Sequence, residues 1–321
     1  MQPFRYTRPI QVQDALEIVA GEEDAAFIAG GTALVNQLRS GERRTTHLVD
    51  ITDLPLVGLE VTRQGVRLSA LERGTAGDER VRAGYPVVAE ALLAGASPQI
   101  RNMATPGGNL LQGLRTPFYR EAVLEGQREQ VSTGETSDSG YRYGPIFSTG
   151  TGVYGSDLGV SLAALDAVVV AEGAGGERRL PVTEFYREPS PDKPRETFLE
   201  HGELITAIEI PASPAAARST YLKVRERASY AYLVVSVAAA LELEGDTVRS
   251  SRLALGGVAA VPWRAEAAER TLAGQRLSRD VIEAAAQAAV SGARPSPQNA
   301  YKVELVRRAV IRALETLGGR A

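Results

Sequence analysis

The 321-residue chain has no cysteine, two histidines, one tryptophan and an aromatic content of only 6%. Without cysteine it can form no disulfide, present no thiol nucleophile and hold no zinc or iron-sulfur centre through thiolates. His47 and His201 lie far apart in the sequence, and no calcium-loop pattern occurs, so no protein-held metal is expected. Long apolar runs are also missing. The stretch YLVVSVAAAL at 232–241 falls far short of the roughly 20 residues that cross a bilayer, so no membrane span is expected. The opening MQPFRYTRPI carries two arginines without a following apolar run, and no secretory signal is read there. Neither sign of charge is in excess: 36 Lys and Arg face 39 Asp and Glu, for a formal net charge of -3. Nothing in that balance attracts nucleic acid or anionic lipid in general, so an anionic ligand must be held locally.

What is present is a chain long enough for two or three domains, 44% of it hydrophobic. Val12, Ala15, Leu16 and Val19 share one face of a helix that Gly21 can end. AAFIA at 25–29 reads as a short buried strand, a second helix runs from after Thr32 to Gly41, and THLVDI returns as a strand. Residues 1 to about 56 thus form a small α/β unit. GLEVTRQGVRLSAL has the alternation of paired strands, YPVVAEALLAGA is helical, and SPQIRNMATPGGNLLQG reads as a polar, proline-punctuated loop. Residues 120–148 show little periodicity and are expected to form an extended loop or mobile insertion. A helix, strand, glycine turn and strand follow through SDLGVSLAALDAVVVAEGAGGERRLPVTEFY, then the surface crossing REPSPDKPRETF and the strand ELITAIEIP. A boundary is expected near 211–219. Beyond it STYLKVR, VVSVAAALEL and SSRLALGGVA read as strands, followed by three helices. Strands followed by segregated helices indicate an α+β class.

Two adjacent-glycine pairs carry the functional signal. Glycine tolerates left-handed torsions and lets another group approach the backbone closely, at a cost of about 0.5–1 kcal/mol in a regular element. In IAGGT the amides near Gly30, Gly31 and Thr32 can face an anion, with the Thr32 hydroxyl as cap or donor. In TPGGNLL the amides of Gly107, Gly108 and Asn109 are joined by the Thr105 hydroxyl and the Asn109 carboxamide. Two such loops converging on one diphosphate would neutralise it without lysine. Either pair alone is weak evidence and reads more simply as an ordinary tight turn.

IAGGTALV at 28–35 and TPGGNLLQG at 105–113 resemble the two flavin-adenine-dinucleotide loops of the medium subunit of molybdenum hydroxylases. These are the xanthine dehydrogenase, carbon monoxide dehydrogenase and aldehyde oxidoreductase assemblies. YLKVRERASYAYLVVSVAAAL and LALGGVAAVPWRAEAAE extend the likeness over nearly the whole chain, most strongly toward the periplasmic-type aldehyde oxidoreductase flavoprotein subunit. The resemblance implies a two-lobed FAD-binding domain of the vanillyl-alcohol-oxidase, or PCMH, type over residues 1–215, with lobes at about 1–56 and 57–215. A smaller α+β domain would follow at 216–321. It also implies that Ile28, Ala29, Gly30, Gly31, Thr32, Ala33, Leu34 and Val35, with Thr105, Gly107, Gly108, Asn109 and Leu110, hold FAD. Asp157 is carried over as a polar FAD contact and Lys223 as the lysine near the flavin ring. Read alone, Asp157 is more simply a helix cap or first-turn charge and Lys223 a solvated strand charge.

The activity implied is electron transfer by an FAD-dependent oxidoreductase subunit with no catalytic residue for the organic substrate. Its partners would be a molybdenum-cofactor-binding large subunit, a small [2Fe-2S] subunit and an electron acceptor that the sequence does not select. An assembly subunit that keeps the fold without turnover is the alternative from another class. With no export signal read, the compartment expected by default is the cytoplasm, and residence in the periplasm inside an exported complex is left open. The most similar subfamily carries a [4Fe-4S] cluster in a cysteine-bearing insertion; Pro117, Tyr119 and Thr151 offer no thiolate there, so no iron-sulfur cluster is expected in this chain.

Gly150, Gly152 and Gly155 also have GxGxxG spacing, followed by a helix, a strand and Glu172. This local pattern fits an independent NAD-dependent oxidoreductase, but no repeated βαβ halves accompany it. His47 and His201 read as structural or surface residues and Trp263 as a packing anchor. Arg101 and Arg115 are loop charges, and Arg227 and Tyr230 candidates for a domain or partner interface. No arrangement marks a hydrolytic triad.

Overall fold

The computed structural model describes residues 2–41, 43–114, 142–148, 152–190 and 195–319. The amino-terminal unit is a parallel three-stranded sheet built from β1 (Arg5–Thr7), β2 (Ala25–Ile28) and β3 (His47–Asp50), in the order β1-β3-β2. The helix α1 (Val12–Gly21) joins the first two strands, burying Ala15, Leu16 and Val19 as their spacing predicts. A second helix, α2 (Leu34–Ser40), joins β2 to β3 and stops where Gly41 turns left-handed at φ 74°. The strand β1 lacks a sequence signal because three residues show no alternation.

The second lobe is a five-stranded antiparallel sheet. Its hairpin β4 (Leu59–Thr62) and β5 (Gly65–Ser69) lies beside β8 (Leu204–Pro211), which is followed by β6 (Val168–Gly173) and β7 (Gly176–Pro181). Between β5 and β6 the described helices are α3 (Glu79–Gly84), α4 (Pro86–Ala94), α5 (Pro98–Met103), α6 (Pro106–Leu110) and α7 (Asp157–Ala164); the short α8 (Val182–Phe185) follows β7.

The expected polar loop at 97–113 is instead two short helices. Ser97 and Thr105 each accept the amide three residues on, from Ile100 and Gly108, while Pro98 and Pro106 occupy the first helical position. The prolines that looked like loop punctuation are helix starters behind a capping hydroxyl.

The carboxyl-terminal sheet is antiparallel and four-stranded: β9 (Ser219–Val224), β10 (Val235–Glu244), β11 (Thr247–Gly256) and β12 (Trp263–Arg264), ordered β12-β11-β10-β9. Against it pack α9 (Glu266–Leu272), α10 (Arg279–Ala289) and α11 (Tyr301–Leu317). Alternation along β10 divides its side chains between two cores. Val237, Ala239 and Leu241 join α9–α11, whereas Ala238 and Ala240 join the second-lobe core around Leu158, Leu162 and Ile208. Methyl-sized side chains on that face let α4 and α7 lie directly on the sheet.

Most of the 120–148 stretch, with Arg115, Pro117, Tyr119, Gly150 and Thr151, lies outside the described residues. Its end, 142–148, is bound to the carboxyl-terminal unit: Ile146 and Phe147 donate to the Val258 carbonyl, and the Phe147 ring stacks on Trp263 at 4.5 Å. Trp263 is therefore the packing anchor expected of it. Among the described residues no helix is long and apolar enough to cross a membrane.

Candidate functional site

One cavity of about 1260 Å³ opens where the three sheets meet. That is roomier than the roughly 300–1,000 Å³ typical of sites for drug-sized ligands. Its walls come from the carboxyl ends of β2 and β3, from α4–α6, and from β9 and the loop after it. The site residues named from the sequence all line it except Val35 and Leu110. Val35 points partly to solvent, and Leu110 is fully buried in the second-lobe core.

The first loop leaves β2 with its donors open. The N–H groups of Gly30, Gly31, Thr32 and Ala33 find no acceptor among the described residues, although their surfaces line the cavity. Gly31 holds φ at 69°, a torsion that L side chains rarely adopt. At Gly30 the demand is different: a Cβ there would overlap the carbonyl oxygen of Met103. The two loops touch, and glycine is what lets them. Because α2 has only seven residues, the open amides themselves, rather than a helix dipole, are what this edge offers an anion.

The second loop departs from the expected amide nest. Gly107 donates to the Ala70 carbonyl at 3.0 Å, Gly108 to Thr105 Oγ1 at 3.2 Å and Asn109 to the Thr105 carbonyl at 2.8 Å. The amides are engaged because this stretch is a helix start. What remains is the Asn109 carboxamide. Ser156 Oγ donates to its Oδ1 at 2.6 Å, leaving Nδ2 without an acceptor among the described residues at the cavity wall. Behind it, Tyr154 donates to Tyr186, which donates to the Leu110 carbonyl at 3.1 Å. Burial raises both phenols well above their ordinary pKa, so both stay protonated donors.

Asp157 and Lys223 lie far apart in sequence but meet as a buried ion pair at 2.8 Å. Asp157 opens α7, where Ser156 is the capping residue, and its other oxygen accepts the Tyr221 hydroxyl at 2.6 Å. Burial, with this carboxylate beside it, pushes the Tyr221 phenol well up. Lys223 also donates to the Ala94 carbonyl at 3.2 Å, leaving one ammonium proton for the cavity. Neither the solvated lysine nor a simple capping aspartate describes these residues.

Sequence reading missed Arg39, Arg43 and Arg73, which also line the cavity. Nothing local marks them, since surface arginines on short helices and turns are common. Arg101 lines it as well and donates to the Gly95 carbonyl at 2.6 Å. Arg227 and Tyr230 sit at the solvent-facing rim, the guanidinium 5.4 Å from the ring centroid. His47 bridges Thr7 and Glu22 in the first lobe, and His201 contacts the Glu22 carbonyl; neither reaches the cavity.

The NAD reading fails on topology. A dinucleotide fold of that type needs parallel β-α-β units, whereas β6, after α7, is antiparallel to both neighbours. Glu172 does not line the cavity.

Open amides beside glycines that admit close backbone approach, a carboxamide donor and a buried ammonium suit an elongated molecule carrying a diphosphate. Comparison with known proteins agrees. Residues 2–213 match the FAD binding domain in molybdopterin dehydrogenase, and residues 220–317 the CO dehydrogenase flavoprotein C-terminal domain. The chain is 37% identical over 333 residues to the aldehyde oxidoreductase FAD-binding subunit of Escherichia coli, covering 98% of each chain. It is 26% identical to the carbon monoxide dehydrogenase medium chain of Afipia carboxidovorans, covering 97% of this chain and 96% of that one. Among solved structures it matches the reconstituted CO dehydrogenase from Oligotropha carboxidovorans with a TM-score of 0.79 at 26% identity, over 100% of both chains.

Proposed function

The chain belongs to the family of FAD-binding subunits of molybdopterin dehydrogenases, and on that premise we propose that its central cavity holds FAD so as to relay electrons inside a molybdenum-hydroxylase complex. The single observation carrying this reading is the run of open amides at Gly30–Ala33 on the wall of the cavity that Asn109 also lines. Those amides would bind the diphosphate bridge, Asn109 would donate to it from the second loop, and Lys223, held by Asp157, would face the flavin end. Val35 and Leu110 would act from behind, as supports for the two loops. When bound, the flavin supplies the redox chemistry that side chains lack. The protein's part is to fix and partly desolvate it.

Electrons would come from a small [2Fe-2S] subunit after aldehyde or heterocycle oxidation at a molybdenum subunit, and would leave to a separate acceptor. Division into an FAD-binding domain over 1–215 and a carboxyl-terminal domain over 216–321 belongs to the same proposal, as does residence in the cytoplasm. Gentle purification should give a yellow protein whose flavin absorbance bleaches only when partner subunits and substrate are supplied. Gly31→Val should lower FAD occupancy by disturbing the open amides, and Asn109→Ala by removing the second loop's donor. Full occupancy in both folded variants would reject the loop assignment. A flavin that never bleaches with partners would favour a pure assembly role.

A further inference from the structure

Lys302 lies on the first turn of α11 with no exposed surface, an extreme for a lysine. Its ammonium donates to three main-chain carbonyls: Tyr143 at 3.1 Å, Gly144 at 2.8 Å, and Gly257. Three donors thus meet three acceptors, a match that a neutral amine with two N–H groups cannot make. Among the described residues no carboxylate pairs with it, and burial pushes its pKa down to about 7. Among the described residues, Arg142 places its guanidinium over the Tyr143 and Tyr301 rings, and Glu226 accepts the Tyr143 hydroxyl. Asn299 extends the clasp by donating to the Pro145 carbonyl at 3.0 Å.

The clasped segment reaches the cavity. Tyr143 and Glu226 both line it, and the Tyr143 hydroxyl donates to Glu226. Burial, with that carboxylate beside it, pushes the phenol up to about 12, so it remains a donor. We infer that Lys302 is a positioning residue for the cofactor cavity: by clasping the Tyr143 and Gly144 carbonyls it fixes the Tyr143–Glu226 pair at the rim, tying helix α11 to FAD retention. A residue of the carboxyl-terminal core thereby sets the shape of a wall that it does not touch.

The inference rests on the cavity being the flavin site, and the test separates the two. In the full-length protein, Lys302→Met keeps the volume and removes every donor. The FAD dissociation constant should rise about tenfold, Tyr143→Phe should raise it less, and the double variant should match Lys302→Met alone, since both act through one element. Lys302→Arg should recover part of the loss. A side chain that serves only general stability would instead lower the apoprotein's thermal midpoint and leave the Tyr143→Phe effect additive. Should Lys302→Met not fold, Lys302→Gln is measured in the same cycle. Wild-type affinity in the folded variant, or additive effects, would overturn the inference. Gly31→Val, run alongside, reports on the cavity: if it also binds FAD normally, the cavity assignment fails, not merely the role of Lys302.

Discussion

The two glycine loops look alike in sequence, Gly30-Gly31-Thr32 and Gly107-Gly108-Asn109, but the fold uses their backbones in opposite ways. The first loop leaves a parallel strand and keeps four consecutive amides open to the cavity. The second begins a helix, and its amides are closed off by Ala70 and Thr105. An identical dipeptide thus gives an anion-binding edge in one place and a rigid backstop in the other. The deciding factor is the residue in front: Thr105-Pro106 is a cap followed by a helix starter, whereas Ile28-Ala29 is the end of a strand. One loop is built to contact a ligand through its main chain, the other through a single side chain.

An alanine series across both loops would break or sharpen this contrast. Gly30→Ala should do most damage, because its Cβ would overlap the Met103 carbonyl and force the loops apart. We expect a stability loss at the upper end of the roughly 1–3 kcal/mol seen for overpacking, read by denaturant unfolding, together with loss of bound flavin. Gly31→Ala should cost about 1–2 kcal/mol, since the residue must keep a left-handed torsion; flavin release kinetics would show whether the amides have turned away. Thr105→Ala removes a cap and should lower stability by about 1 kcal/mol while leaving the open amides of the first loop untouched. Asn109→Ala should weaken FAD binding several-fold, the effect of one lost donor, with a smaller change in the thermal midpoint. Gly108→Ala should do least: its Cβ would meet only Thr105 Oγ1 at 3.0 Å, so a stability change within about 0.5 kcal/mol is expected. If Gly108→Ala proves as harmful as Gly31→Ala, the two loops are equivalent after all.

Much of this molecule can be read from local pattern. The helical faces of α1, α10 and α11 and the alternation in β4, β5 and β10 appear where their apolar periodicity places them. The segment from Ser97 to Leu110 was misread because a cap followed by proline signals a helix start as much as a loop. In the cavity, glycine identity pointed to both loops, but not to their unequal hydrogen bonding. Asp157 and Lys223 carry no mutual signal, being separated by most of the second lobe, and neither do Lys302 and the carbonyls it clasps.

Sequence by itself determined the α+β class, the absence of thiolate chemistry, and the positions where a backbone must lack a side chain, because each follows from residue type and short-range periodicity. Only the tertiary structure decided which amides stay open, which charges pair in the dry interior and which glycine exists for contact between loops. Those outcomes depend on what arrives from elsewhere in the chain to accept a hydrogen bond or fill a space.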